Sequence, residues 1–291
     1  MMPRHIMVFI YLTLLLLYSS SVRSVEEAVN DAAVSNTASR KSAVNERAEW
    51  SLGMGLGVFN YHLYPGAKES NSLLLPVPYF TYRSPKFEID RGFKGFLYHS
   101  EKVVLDISAD FGLPVDSDDT QARKGMPDLD FVLQVGPSIA FLLNDEYNNY
   151  FDTRFEIPVR VAYASDFHSA ENIGLLIEPR FTFNHRRRGE MGLAQKATIG
   201  LKYATQEFHA YYYDVADAFT TNARAAFTSD AGFGGSFIKY QISYKTRDYI
   251  FWSFLRYQSL RGAKFEDSPL VLQKDYYFVG LGFAWLFAGS L

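Results

Sequence analysis

The sequence predicts an all-β protein, an antiparallel transmembrane β-barrel, on three observations. From Trp50 onward, large apolar residues alternate with small or polar ones over segments of about twelve residues, separated by polar turns. Period two marks strands, and strands in soluble folds run nearer to ~6 residues. Tyr and Trp gather near the segment ends, at Trp50, Tyr147, Tyr150, Tyr203, Tyr249, Trp252 and Tyr276, like the aromatic girdles at two membrane interfaces. The chain also opens with an export address. Arg4 and His5 precede an apolar run from Ile6 to Tyr18, and Ser19 to Ser24 is small and polar, the three regions of a secretory signal peptide.

Residues 1–24 are therefore expected to be a signal peptide cleaved after Ser24, because the apolar run is too short for the ~20 residues that span a bilayer. Residues 25–48 are rich in Ala, Ser, Asn and Glu and read as a flexible periplasmic segment. The barrel is assigned to 49–291. Trp50, Leu52, Met54, Leu56 and Val58 alternate with Gly53, Gly55 and Gly57, large outside and small inside. Leu73, Leu75, Val77 and Tyr79 are read as the outer face of the next segment. Phe87 and Ile89 follow, with a phase slip and a bulge expected at Arg91-Gly92. Outward rows then run Val103 to Phe111, Leu129 to Phe141, Phe155 to Tyr163 and Ile173 to Phe183. Weaker alternation covers Met191 to Ala204, then Tyr240, Ile242 and Tyr244, then Ile250 to Tyr257. Eleven segments are clear. Glu207 to Val215, with its three tyrosines, is read as the twelfth, since bacterial barrels hold even numbers of strands; ten is the alternative. In the last segment Tyr277, Val279, Leu281, Phe283, Trp285 and Phe287 face one way. Gly280, Phe283, Trp285 and Phe287 are its barrel-assembly signal.

Composition narrows the function. The chain has 25 Phe and 20 Tyr among 291 residues, no Cys and a net charge of −3. Disulfides, thiolate metal sites, cysteine nucleophiles and lipoprotein anchoring are excluded, and the charge argues against nucleic acid as partner. No later segment reads as an apolar helix, so strands must carry the protein through a membrane.

Gly53-Met54-Gly55-Leu56-Gly57 leads to Tyr64-Pro65-Gly66, then to Leu75-Pro76-Val77-Pro78-Tyr79-Phe80. Arg91-Gly92-Phe93, the run Asp128 to Pro137, Tyr212-Tyr213-Asp214-Val215, Ala231 to Gly235 and Asp267-Ser268-Pro269-Leu270 follow in order. This succession resembles the MipA/OmpV family of outer-membrane proteins, named for an MltA-interacting protein, over Trp50 to Phe287. Asp214 stands where the family typically has Gly. The resemblance implies a non-enzymatic barrel, a scaffold between a lytic transglycosylase and a peptidoglycan synthase, while other members resemble stress- or osmolarity-responsive porins.

No catalytic, cofactor or metal site is expected. His168-Ser169 would point to opposite faces of a strand, and in a loop the pair is simply polar. Asp118-Asp119 reads as a solvated loop, and His62, His99, His185 and His209 lack ligand spacing. Inward charges are the informative feature: Asp106, Asp110, Asp130, Arg154, Glu156, Arg160, Glu178, Arg180, Lys239 and Lys245. Both signs on successive strands favour cross-strand ion pairs. A salt-bridged plug is preferred to a solute-sorting constriction, because so few strands leave little interior room. Arg186, Arg187 and Arg188 form a basic turn suited to lipopolysaccharide phosphates or an acidic partner, or simply to solvent. The expected partners are outer-membrane lipid and lipopolysaccharide, the barrel-assembly machinery, and murein hydrolases or synthases. The leading expectation is a structural or interaction protein of the Gram-negative outer membrane. A narrow channel is second and an outer-membrane enzyme a distant third.

Overall fold

The computed structural model describes residues 49–83, 87–89, 93–100, 102–144, 151–185 and 191–289. The signal peptide, the 25–48 segment, Arg91-Gly92, Tyr147, Tyr150 and Arg186 to Arg188 lie outside them. The described chain is one antiparallel sheet with a single short helix. The strands are β1 (Glu49–His62), β2 (Ser70–Arg83), β3 (Phe87–Ile89), β4 (Phe93–His99), β5 (Val103–Gly112), β6 (Phe131–Leu142) and β7 (Phe151–Ser165). They continue as β8 (Ala170–Ile177), β9 (Arg180–His185), β10 (Gly192–Ala204), β11 (Gly232–Lys245), β12 (Tyr249–Ser259) and β13 (Asp275–Gly289). Each pairs with the next except β8 and β9, which both lie between β7 and β10, and β13 pairs back onto β1. β8 and β9 lie in one line. Pro179 has no N–H to give the ladder, but the carbonyls still serve it. Glu178 N–H donates to the Pro158 carbonyl at 3.1 Å, and Leu201 N–H to that of Pro179 at 3.0 Å.

One face of the sheet is buried and the other exposed, and the sequence alternation decides which. Met54, Leu56 and Val58 on β1, Ile238 to Tyr244 at even positions on β11, and Leu281, Phe283, Trp285 and Phe287 on β13 are exposed. On the buried face the glycines of β1 and β13 make room for rings. A Cβ on Gly57 would stand 3.0 Å from the Trp252 ring, and one on Gly282 only 2.5 Å from it. Trp252 fills that space with Phe59 and Phe254, at ring separations of 5.6 and 6.4 Å.

β2 corrects the expected orientation. Leu74, Pro76, Pro78 and Phe80 are its exposed residues, whereas Leu73, Leu75, Val77 and Tyr79 turn inward. Register is the reason: Leu75 lies opposite Gly57 and Val77 opposite Gly55, and directly paired residues share a face. A strand apolar on both sides gives no sign from alternation alone. Ile173 also departs from its row. The β7–β8 register slips between Ala162 and Tyr163, and the extra residue, Ile173, is buried. Gly174 absorbs the bulge at φ +118°, a conformation that glycine adopts without strain. Leu129 is likewise buried, in an isolated bridge to Val115 ahead of β6. The sheet has a further register shift between Phe96 and Tyr98.

The expected strand at Glu207 to Val215 is a helix, α1 (Gln206–Tyr213). Tyrosine favours strands, but Phe208, His209, Tyr212 and Tyr213 are the residues that become buried. Their spacing of one and four places them on one helical face. Glu207 in the first turn complements the helix dipole. The helix is held at its start by Thr205, whose Oγ1 accepts the Leu175 N–H at 3.2 Å. It ends at Asp214, whose carboxylate accepts the Ser229 N–H. Tyr212 and Tyr213 are therefore core residues. The same holds for Tyr276, which is buried, and for Trp252, which faces inward; Trp50, Tyr203 and Tyr249 remain exposed.

Candidate functional site

Four connections, 63–69, 113–130, 205–231 and 260–274, leave the same end of the sheet and fold together into a cap over its buried face. Tyr64, Val115, Leu129, Phe208, Tyr213 and Phe265 form their shared core with Val132, Leu176 and Tyr276 of the strands. Tyr213 and Phe265 stack at 3.6 Å. Polar bonds fasten one connection to the next. Tyr64 Oη donates to the Leu270 carbonyl at 2.7 Å, and Ser268 Oγ to that of Tyr213 at 2.7 Å. Arg123 Nη1 donates to the Tyr212 carbonyl at 3.0 Å, and Arg224 Nη1 to that of Ala122 at 2.8 Å. These buried guanidiniums satisfy loop carbonyls that would otherwise be stranded away from water. Burial raises the Tyr211 hydroxyl to about 12; its oxygen accepts the Asp130 N–H at 2.7 Å.

Beneath the cap the strands carry a charged belt. Arg160 and Glu178, each at most 3% exposed, form a direct ion pair, with Arg160 also 3.9 Å from Asp110 and 3.4 Å from Ser108 Oγ. Lys202 Nζ lies 3.6 Å and Arg256 3.9 Å from the other Glu178 oxygen. Arg180 bonds Glu156 at 2.6 Å, and Arg154 bonds Asp152 at 3.0 Å. Lys239 lies over the Phe254 ring at 5.8 Å and Arg256 over that of Phe237 at 4.7 Å, within cation–π range.

The sequence-derived inward charges thus divide. Asp110, Glu156, Arg160, Glu178 and Arg180 meet in pairs across strands, and Lys239 stands beside them. Asp106 is half-buried in the same β5 row, opposite Ser138. Arg154 pairs within its own strand. Asp130 precedes β6, at the cap. Lys245 sits at the far end of β11, opposite Gly192 and Ile250. Lys202 and Arg256 were not singled out by sequence. Parity could have found them: Lys202 shares the inward row of Ala194, Thr198 and Gly200, and Arg256 that of Trp252 and Phe254.

The remaining candidates are simple. His168 and Ser169 occupy a turn, where Asp166 accepts both backbone N–H groups and the Ser169 hydroxyl. Those two N–H donors hold the Asp166 carboxyl below its usual range, that of Ser169 most strongly. Asp118 and Asp119 lie in a short 3-10 turn, Ser117–Asp119. Phe283, Trp285 and Phe287 of the assembly signal are exposed, and Gly280 lies inward against Phe254 and Phe59.

Between belt and cap is a cavity of about 210 Å³, lined by Asp110, Lys202 and Arg256 from the strands and by Phe208, His209 and Tyr212 from α1.

Among solved structures, the chain is similar to the toluene transporter TodX of Pseudomonas putida, at 8% identity over 82% of this chain and 89% of that one, TM-score 0.32. It is similar to the outer membrane protein OprG of Pseudomonas aeruginosa at 8% identity, covering 83% and 97%, TM-score 0.25. The CymD monoaromatic hydrocarbon channel matches at 10% identity, covering 82% and 88%, TM-score 0.33. No curated protein matches the chain. The family model described as "MltA-interacting protein MipA" matches residues 52–287, nearly the whole sheet from β1 to β13. The chain belongs to the MipA family.

Proposed function

We propose that this chain is a plugged, non-enzymatic β-barrel of the outer membrane, acting as a structural or interaction protein and linking peptidoglycan-remodelling enzymes to that membrane. A closed wall of twelve positions is supported by the β13–β1 ladder and by β8 and β9, which count as one interrupted strand against β7. The even count fits a bacterial single-chain barrel. Membrane placement is supported by the exposed face, where Met54, Leu74, Phe111 and Leu281 are each more than half exposed. A soluble monomer rarely shows apolar surface on that scale. The long connections gather at the end away from Glu49 and Gly289, which fits extracellular loops opposite short periplasmic turns.

The observation that supports the plugged reading is the Arg160–Glu178 pair, which draws in side chains from β5, β10 and β12 beneath a cap folded over the same face. Purified protein in planar bilayers is expected to give small or no steady conductance; large, stable single-channel openings would overturn the plug. The enzyme link is tested by affinity capture from native membranes, with murein hydrolases or synthases expected among the bound proteins and their absence counting against it. A narrow channel is the second reading, favoured by the cavity beneath the cap. It predicts uptake of small solutes by proteoliposomes without large openings.

A further inference from the structure

The cavity under the cap holds polar groups that nothing in the protein satisfies. His209 is 1% exposed. Its Nδ1 lies 2.8 Å from the Asp230 carbonyl, which can only accept, so Nδ1 carries the hydrogen. Burial lowers the His209 pKa, and the neutral ring therefore presents Nε2 as a lone-pair acceptor. That Nε2 is buried and has no partner. Tyr276, 5% exposed, has an equally buried hydroxyl without a partner. Arg256 Nε is a third such atom. All three residues line the one cavity. A native fold seldom leaves buried polar atoms unpaired, because each costs about 1–3 kcal/mol.

The charges there do not cancel either. Arg160, Lys202 and Arg256 face two carboxylates, Asp110 and Glu178. Lys239, which lies nearby over Phe254, adds a further positive charge. The excess is positive, the space is small, and the walls include the rings of Phe208, Tyr212, Phe265 and Phe278. A ligand that satisfies this set has one negative group, an apolar body and a hydrogen-bond donor at a distance from the charge.

We propose that the cavity between belt and cap is a binding site for a small hydroxylated organic monocarboxylate, its carboxylate held by Lys202 and Arg256 and its hydroxyl donated to His209 Nε2. The ring walls enclose the body, and the Tyr276 hydroxyl supplies a further donor. The site goes beyond the scaffold reading and is independent of it: binding stands or falls whatever conductance or captured partners the protein gives.

The probe is 4-hydroxybenzoate, titrated calorimetrically into the full chain in detergent, with benzoate and 4-hydroxybenzyl alcohol as comparators. Saturable binding of one 4-hydroxybenzoate per chain is expected. Benzoate, lacking the hydroxyl, is expected to bind at least about fivefold more weakly, and the uncharged alcohol at least about tenfold more weakly. Lys202→Met and Arg256→Met are each expected to weaken 4-hydroxybenzoate about tenfold or more. No saturable binding to the wild type at millimolar probe overturns the proposal. So does equal binding of acid and alcohol, a comparison on wild-type protein that requires no variant to fold. Undiminished binding in a folded Lys202→Met variant overturns the carboxylate assignment and with it the site.

Discussion

Glu178 is the residue on which the interior turns, since Arg160, Lys202 and Arg256 all approach it. Replacing it with Gln keeps the shape but leaves the buried Arg160 and the part-buried Lys202 and Arg256 with one fewer countercharge. Breaking a buried pair from one side typically costs ~3–5 kcal/mol, so Glu178→Gln is expected to lower stability by about that amount in denaturant titration of the reconstituted protein. Arg261 and Asp275 also pair directly, at 2.6 Å, but Arg261 is 69% exposed, and such a pair contributes ~0–1 kcal/mol. Arg261→Gln should therefore be nearly silent; a loss comparable to that of Glu178→Gln would refute the ranking by burial. The three tryptophans give a second test. Trp50 and Trp285 lie on the exposed face and Trp252 on the buried one. In vesicles with brominated acyl chains, a variant retaining only Trp285 should be strongly quenched and one retaining only Trp252 weakly. Equal quenching would dismiss the assigned faces. Most inward charges were legible from parity, because they oppose large apolar residues. Lys202 and Arg256 escaped because their own rows mix apolar, small and polar residues, so a cation there carried little contrast.

Among the elements, α1 shows where local signals mislead. Three consecutive tyrosines suit a strand, and an even count asks for one more than the eleven clear segments; the stretch read as one strand from Phe87 to Tyr98 holds two short ones, β3 and β4. The helix forms because Phe208 and Tyr212, and His209 and Tyr213, can be buried together only at helical spacing. β2 misleads for a different reason. Its two faces are both apolar, and only the register against the β1 glycines gives it a direction. Gly174 ties α1 to the wall: a Cβ there would lie 2.9 Å from the Phe208 nitrogen, and its φ is positive. Gly174→Val is expected to displace the helix, with faster amide exchange over 205–231 and little change in β11 to β13. Unchanged exchange would show that α1 does not depend on that close approach. Phe208→Ala removes a buried ring and should cost ~3–5 kcal/mol, read as a lower unfolding midpoint.

For the whole molecule, the architecture was more legible than its contents. Alternation repeated along the chain allows a sheet with one greasy side and one mixed side, and the pairings from β1 to β13 have that form. The cap was not legible, because its parts come from four separate connections whose sequences show no alternation of their own. Its stiffness predicts a graded response to loosening. Arg224→Ala, which frees the carbonyls of Phe219, Ala122 and Lys124, should raise proteolytic nicking within 113–130 and 205–231. It should leave bilayer conductance low, because the belt lies below. A large conductance in that variant would mean that the cap alone seals the passage.

The fastening between Tyr64 and Leu270 joins residues 206 positions apart. Contacts of that span cannot form until nearly all of the chain is in place. A lid built this way is also a completion mark: an assembly intermediate lacking its final hairpin would leave Tyr64 with nothing to grip and expose α1 to proteases. The loss of one cleavable segment would then mark the finished fold.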